Sequence, residues 1–297
     1  GWAASRPLLL ARTPHRHVRH TDGGLLPAAE SRPALVWRLE SATPFPPDKP
    51  SFIDYSRPGM QLWICPLLAF LLGSIPFGLI IARMKGIDIR AHGSGNIGAT
   101  NVLRIVGKQY GITCLFLDLL KGLIPTLLGV SLIRFIDASG GLNGNPMAIG
   151  SLEGYAHAFP AADQWKAQTL QVVTGLLAIL GHNYSPWVGF KGGKGIATSA
   201  GVLIALMPFA VIILVLIWAI TFLISRYVSL ASIVAAAAIP PIMLWGSWHH
   251  GKLQDGTWNK PLFIFTLLIS ILAIWKHLTN IQRLREGTEH RFTRKKK

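Results

Sequence analysis

Residues 195–225 form thirty-one consecutive positions without a single Asp, Glu, Lys or Arg, and no ordinary soluble fold accommodates such a run. As one helix it would be about 46 Å long, against a hydrocarbon core of about 30 Å, and Met207-Pro208 offers a natural break near its middle. Further apolar runs at 62–82, 110–136, 170–190, 227–246 and 261–276 each approach the length of a bilayer crossing. With 51% hydrophobic and 14% charged residues, the chain has the composition of a polytopic membrane protein. The expected fold class is therefore all-α integral membrane.

Charge assigns the sides. If 195–225 is one crossing, the loop at 190–195 and the C-terminal tail fall on opposite faces. If it turns at Met207-Pro208 into two short helices of about 15 residues each, they share a face. The second choice puts sixteen Lys/Arg on one side and four on the other, which the positive-inside rule favours. The expectation is seven transmembrane helices, two of them short within 196–225, with the N-terminus outside and the C-terminus cytoplasmic. Asp118 and Lys121, in the second run, are spaced i, i+3 and can pair on one helix face.

Residues 1–59 read differently. They carry eight Arg/Lys, scattered prolines and no methionine, and Met60 directly precedes the first apolar run. No sustained periodicity or signal-peptide layout is present. This segment is expected to be disordered or artefactual, a translated upstream region or dispensable extension, with the functional domain at 60–297.

The net charge of +16 favours anionic neighbours, lipid headgroups or phosphorylated substrates. Nucleic acid is not expected as a partner, because no basic stretch is interleaved with aromatic residues at a stacking spacing. Cys65 and Cys114 lie inside apolar runs and indicate neither a disulfide framework nor a metal site.

The seven-helix topology brings four polar clusters to the cytoplasmic surface: "HGSGNIGATNVLR" (92–104), "FKGGKGIATSAG" (190–201), "SRYVSLAS" (225–232) and "HLTNIQRLREGTEHRF" (277–292). In the first, Gly93, Gly95 and Gly98 free backbone N–H groups beside Ser94, Asn96, Thr100, Asn101 and Arg104, a set suited to phosphate oxygens. Taken alone it reads equally well as an N-capped turn. The second sets Gly192, Gly193 and Gly195 around Lys194 but lacks the P-loop spacing and its hydroxyl. Ser229 and Ser232 are i, i+3 neighbours at a helix start, where caps are the plain alternative. The fourth places His277, Asn280 and Arg283 within a few helical turns, followed by Glu289; a basic juxtamembrane helix is its plain reading. The spacing H-x-x-x-x-D, at His17–Asp22 and His250–Asp255, is too short to carry weight.

The strings "GSGNIGATNVLR", "GHNYSPWVGFKGGKGIATSAG", "YVSLASI" and "NIQRLREGTEHRF", in that order over residues 60–297, resemble the bacterial membrane glycerol-3-phosphate acyltransferases that take acyl phosphate as donor, the PlsY family. The resemblance implies a seven-helix protein of the bacterial inner membrane, its active site facing the cytoplasm. It would transfer a fatty acyl group to the 1-hydroxyl of sn-glycerol 3-phosphate, the first step of phospholipid biosynthesis, with no metal and no bound cofactor. Substrates and membrane lipids would be its partners; the sequence does not fix the oligomeric state, and a monomer is compatible with it. By motif, Ser94, Asn96, Arg104, Lys194, Ser232, His277, Asn280 and Glu289 match the family's active site. Ser94, Lys194, His277, Asn280 and Glu289 are the catalytic candidates. Asn96, Gly98, Thr100, Asn101, Arg104, His182, Gly193, Gly195, Ser229, Ser232 and Arg283 are the candidates for holding substrate phosphates. The proton acceptor stays open between His182, His277 and a substrate phosphate oxygen. The competing class is an organic-phosphate transporter, whose site would lie near the midplane between repeated halves; no internal repeat is visible. A lipid-binding scaffold would leave the Asn and Ser spacing without a purpose.

Overall fold

The structure, a computed structural model, describes residues 59–292 apart from 138 and 144. All belong to the second of two compact units, Pro47–Lys297, and the extension expected over 1–59 lies outside the described residues except for Gly59.

Helices dominate. The first apolar run is broken into α1 (Gln61–Gly73) and α2 (Phe77–Arg83), because Pro76 has no N–H to donate and disfavours helical geometry at Ile75. Protein groups take up the carbonyls this break frees, as a backbone away from water requires. Lys121 Nζ donates to Ile75 O at 2.7 Å, Ser185 Oγ to Ser74 O at 2.6 Å, and Trp187 Nε1 to Ser74 Oγ at 2.9 Å. A short α3 (Ala99–Ile105) then leads into α4 (Lys108–Leu132).

After α4 the chain departs from the all-α expectation. Strand β1 (Ile133–Phe135) pairs in parallel with β2 (His157–Phe159), in the register Ile133↔His157. β-Branched and aromatic side chains favour strand here, and the tail of the predicted 110–136 run is therefore strand rather than helix. The third run forms α5 (Gln164–Asn183), starting earlier than 170 and ending before 190.

The uncharged stretch divides where the sequence predicts. Met207, at φ −145° and ψ 59°, separates α6 (Ile196–Leu206) from α7, which starts on Pro208 and runs to Ser225. The halves are unequal, 11 and 18 residues rather than two of about 15. Next come α8 (Val228–His249), α9 (Lys260–Lys276) and α10 (Leu278–Arg285), the last two bent by 51° at His277.

Four spans pass on length and apolarity: Gln61–Arg83, α4, α7 and α8. A fifth passes if α9 and α10 count as one. These criteria give four or five spans rather than the expected seven. The exceptions are α6, with 11 residues, and α5, whose first half carries Gln164, Lys166, Gln168 and Gln171.

Close helix contacts rest on small residues, as in other membrane bundles. At Gly201 of α6, a Cβ would come within 2.1 Å of the Leu119 carbonyl oxygen of α4. One hydrophobic cluster joins α5, α6, α8 and α9 through Ile179, Val202, Leu203, Ile239, Phe265 and Ile269. By contrast, Leu214 alone is buried on α7, and Phe209, Ile212, Leu216 and Ile220 are bare. Such a face suits lipid, not water.

Candidate active site

The loop before α3 is organised by one amide. Asn101 is 2% exposed. Its Nδ2 faces the carbonyls of Asn96, His92 and Ile89 at 2.9, 3.0 and 3.3 Å, and its Oδ1 accepts from Ser94 N at 3.1 Å. The Asn96 carboxamide accepts from Gly98 N at 2.8 Å. Asn101 therefore shapes the loop that presents Ser94 and Asn96; its own polar atoms are already engaged.

The second loop is folded over the end of α5. Gly192 N and Gly193 N donate to the carbonyls of Asn183 and His182, both at 3.2 Å. A Cβ on Gly193 would sit 2.1 Å from His182 Nε2, so only glycine fits. Gly195 caps α6 in left-handed geometry. The resulting turn aims Lys194 across at α10, where its ammonium donates to Asn280 Oδ1.

Glu289 ties the remaining parts together. Its Oε1 accepts from Ser229 Oγ and from Asn280 Nδ2, both at 2.7 Å, and its Oε2 lies 3.7 Å from Arg283 Nε. These links join the start of α8, α10 and the segment after α10. The hydrogen bonds of Glu289 Oε1 are thus directed to protein groups, while the buried Oε2 accepts no hydrogen bond among the described residues. His277, at the bend between α9 and α10, sets Nδ1 2.8 Å from the Ala273 carbonyl. That acceptor fixes the ring proton on Nδ1 and leaves the Nε2 lone pair for other work.

These groups surround one cavity of about 430 Å³. Every catalytic or phosphate-holding candidate from the sequence lines it except Gly193, which supports the wall through His182. Arg104, Lys194 and Arg283 gather at the polar end. Beyond them the wall becomes apolar, with Leu119 of α4, Leu203 of α6, Val211 and Val215 of α7, and Ile239 of α8. Burial pushes the Lys194 ammonium down to about 8, and the nearby Arg283 and Arg104 act in the same direction while Glu289 opposes them.

Among the lining residues not singled out as site residues from sequence are Asp118 and Trp218. Asp118 pairs with Lys121 at 2.9 Å and lies 3.7 Å from His182 Nδ1. The Asp118–Lys121 spacing is visible in the sequence, but the approach of His182 across to α4 is not. Among the described residues no group of three or more His, Cys, Asp or Glu is arranged to hold a metal. Asp255, of the second H-x-x-x-x-D spacing, accepts from the Thr257 backbone and hydroxyl at 2.8 and 2.6 Å, in the loop between α8 and α9.

Fold and cavity together define a class: a helical integral membrane protein with one amphipathic cavity, cationic at one end and apolar at the other. The comparisons narrow it. A family model described as glycerol-3-phosphate acyltransferase matches residues 63–287. The glycerol-3-phosphate acyltransferase of Geobacter metallireducens is 44% identical over 224 residues, 75% of this chain and 94% of that protein. That of Aquifex aeolicus is 39% identical over 233 residues, 78% of this chain and all of that protein. Among solved structures, PlsY (YgiH), an integral membrane glycerol 3-phosphate acyltransferase crystallised in its glycerol 3-phosphate form, is similar with a TM-score of 0.59 at 38% identity, over 78% of this chain and 96% of that one. The chain belongs to the glycerol-3-phosphate acyltransferase family.

Proposed function

We propose that this protein transfers a fatty acyl group from acyl phosphate to the 1-hydroxyl of sn-glycerol 3-phosphate, giving 1-acyl-glycerol 3-phosphate and inorganic phosphate. The observation that carries the reading is the cavity itself: three cations meet at its polar end, and an apolar wall continues from them. Two phosphates would repel at close range, and Arg104, Lys194 and Arg283 supply the positive charge that lets both bind. The apolar wall takes the acyl chain.

The chemistry asks little covalent help from the protein. An acyl phosphate is a mixed anhydride with a good leaving group, so orientation and charge stabilisation carry the work. The hydroxyl oxygen forms a bond to the acyl carbon, the bond from that carbon to the bridging phosphate oxygen breaks, and the phosphate leaves with the electron pair. The hydroxyl proton goes to His277 Nε2 or to a substrate phosphate oxygen. His182 is less suited to receive it, because its ring is confined between Asp118 and Gly193. In this reading Ser94, Asn96, Thr100 and Ser232 hydrogen-bond the substrates' polar atoms, and Ser94 and Lys194 stabilise the developing oxyanion.

The same reading takes seven crossings, with the domain at 60–297 and the cavity on the cytoplasmic face of the bacterial inner membrane. Three features support this topology. The cavity draws on the N-terminal halves of α4, α6 and α8 and on the C-terminal ends of α5 and α9, with Val211 to Trp218 of α7 along its apolar wall. The run through α1 and α2 leads into the first site loop. The sixteen Lys/Arg then collect at that one face.

The test is a donor comparison. Purified protein is incubated with labelled glycerol 3-phosphate and palmitoyl phosphate, palmitoyl-CoA or palmitoyl acyl carrier protein. Lysophosphatidate from the acyl phosphate alone is the expected result. Product from the thioesters alone would overturn the donor assignment, and no product from any donor would overturn the function.

A further inference from the structure

The three cations of the cavity are held in unequal ways. Lys194 donates to Asn280, and Arg283 lies against Glu289 and donates from Nε to the Thr279 carbonyl at 3.2 Å. The Arg104 side chain has no hydrogen bond or ion pair among the described residues. What it has is a ring: its guanidinium carbon stands 5.1 Å from the centroid of Phe292.

Phe292 is fixed from two other directions. Its backbone N–H donates to the Arg226 carbonyl at 3.0 Å, at the end of α7. Its ring meets Phe222 edge-on, with centroids 5.7 Å apart and planes at 76°. Phe222 stacks on Trp218 at 5.2 Å, and the Trp218 indole donates to Ser232 Oγ at 3.2 Å. An aromatic column thus runs from the apolar wall of the cavity to the one cavity-lining guanidinium that no acceptor among the described residues restrains.

We propose that Phe292 is a positioning residue for the reaction, presenting Arg104 to a substrate phosphate through its ring face. A carboxylate in that place would hold Arg104 more tightly but would also compete with the phosphate for its donors. A π face restrains the cation while leaving its N–H groups free in the plane for a bidentate oxyanion. The inference rests on the proposed phosphate-binding role of the cavity.

Phe292→Leu keeps apolar bulk and the backbone hydrogen bond but removes the π face; Phe292→Tyr keeps that face. Binding of glycerol 3-phosphate and of inorganic phosphate, measured by calorimetry, and the kcat and KM of turnover are compared with melting temperature. Phe292→Leu is expected to weaken phosphate binding and raise the matching KM about three- to tenfold, with kcat changed less, and Phe292→Tyr to stay near the parent protein. Arg104→Lys should also weaken binding by a smaller factor in the Phe292→Leu background than alone. Should Phe292→Leu melt too early to assay, Phe292→Met carries the same comparison. Unchanged binding, equal losses in the Leu and Tyr variants, or additive effects with Arg104→Lys would overturn the assignment. Calorimetry reads the inference without turnover. A parent protein that binds phosphate but makes no lysophosphatidate therefore counts against the acyltransfer reading and not against Phe292.

Discussion

Lys194 concentrates the chemistry of the site in one side chain. It is mostly buried, shares its space with two guanidiniums and donates to Asn280. Replacing it with Ala removes the charge proposed to stabilise the oxyanion, and turnover should fall about 10²- to 10³-fold or more with the fold intact, as checked by kinetics beside a melting curve. Its lowered pKa also sets a pH limit. A lysine whose pKa is depressed loses its proton earlier as pH rises, so phosphate capture fails in that direction. The expected kcat/KM profile, which reports the free enzyme, declines as pH passes about 8. The kcat profile should decline at higher pH, because bound phosphate restores the charged form. A kcat/KM that holds steady up to pH 10 would remove Lys194 from the phosphate site. Asn101 offers a different residue-scale test. Its Nδ2 serves three carbonyls, and Asn101→Asp replaces that donor with an acceptor at almost the same size. Leaving such carbonyls unserved is expected to raise KM at least about tenfold, whereas an unchanged KM would show that the loop organises itself.

Among the elements, α4 carries the most exposed commitment to the bilayer, a charged pair inside a span. Asp118 and Lys121 are 4% and 3% exposed, and the lysine also serves the broken end of α1 through Ile75 O. Removing one partner strands the other charge. Lys121→Met should lower stability in detergent by about 3–5 kcal/mol, and Asp118→Leu added to it should recover part of that loss. A double variant no more stable than the single would mean that the pair matters for the break at Ser74–Pro76 rather than for charge. This scale also shows where the sequence is legible. The division at Met207-Pro208 is readable because a proline without a donor acts locally, and the positions of the apolar runs follow from composition alone. The interruption at Ser74–Pro76 has the same kind of local cause in Pro76, although 62–82 reads as one apolar run; the strand at Ile133–Phe135 and the approach of His182 to Asp118 depend on partners tens of residues away, so no local pattern announces them. The same holds for Phe292. Its ring looks like an ordinary aromatic in a basic tail until the fold sets it against Phe222 and Arg104.

For the molecule as a whole, the account depends on one arrangement: segments near residues 92–104, 189–195, 225–232 and 277–292 meet at a single membrane face. The ingredients of that convergence are visible in the sequence as polar clusters separated by apolar runs, and charge bias alone predicts their common side. The distances inside the cavity are not legible there, because they are set by how α4, α6, α8 and α9 pack. Sidedness is directly measurable on exposed positions that leave the cavity untouched. Single cysteines at Arg90, Lys191 and Arg285, with Gln254 in the α8–α9 loop as the opposite marker, are exposed on the surface and can be probed with a membrane-impermeant thiol reagent. In intact cells Gln254→Cys alone should be labelled, and in inverted membrane vesicles Arg90→Cys, Lys191→Cys and Arg285→Cys should be labelled while Gln254→Cys is protected. Labelling of any of those three from outside intact cells would contradict a shared cytoplasmic site.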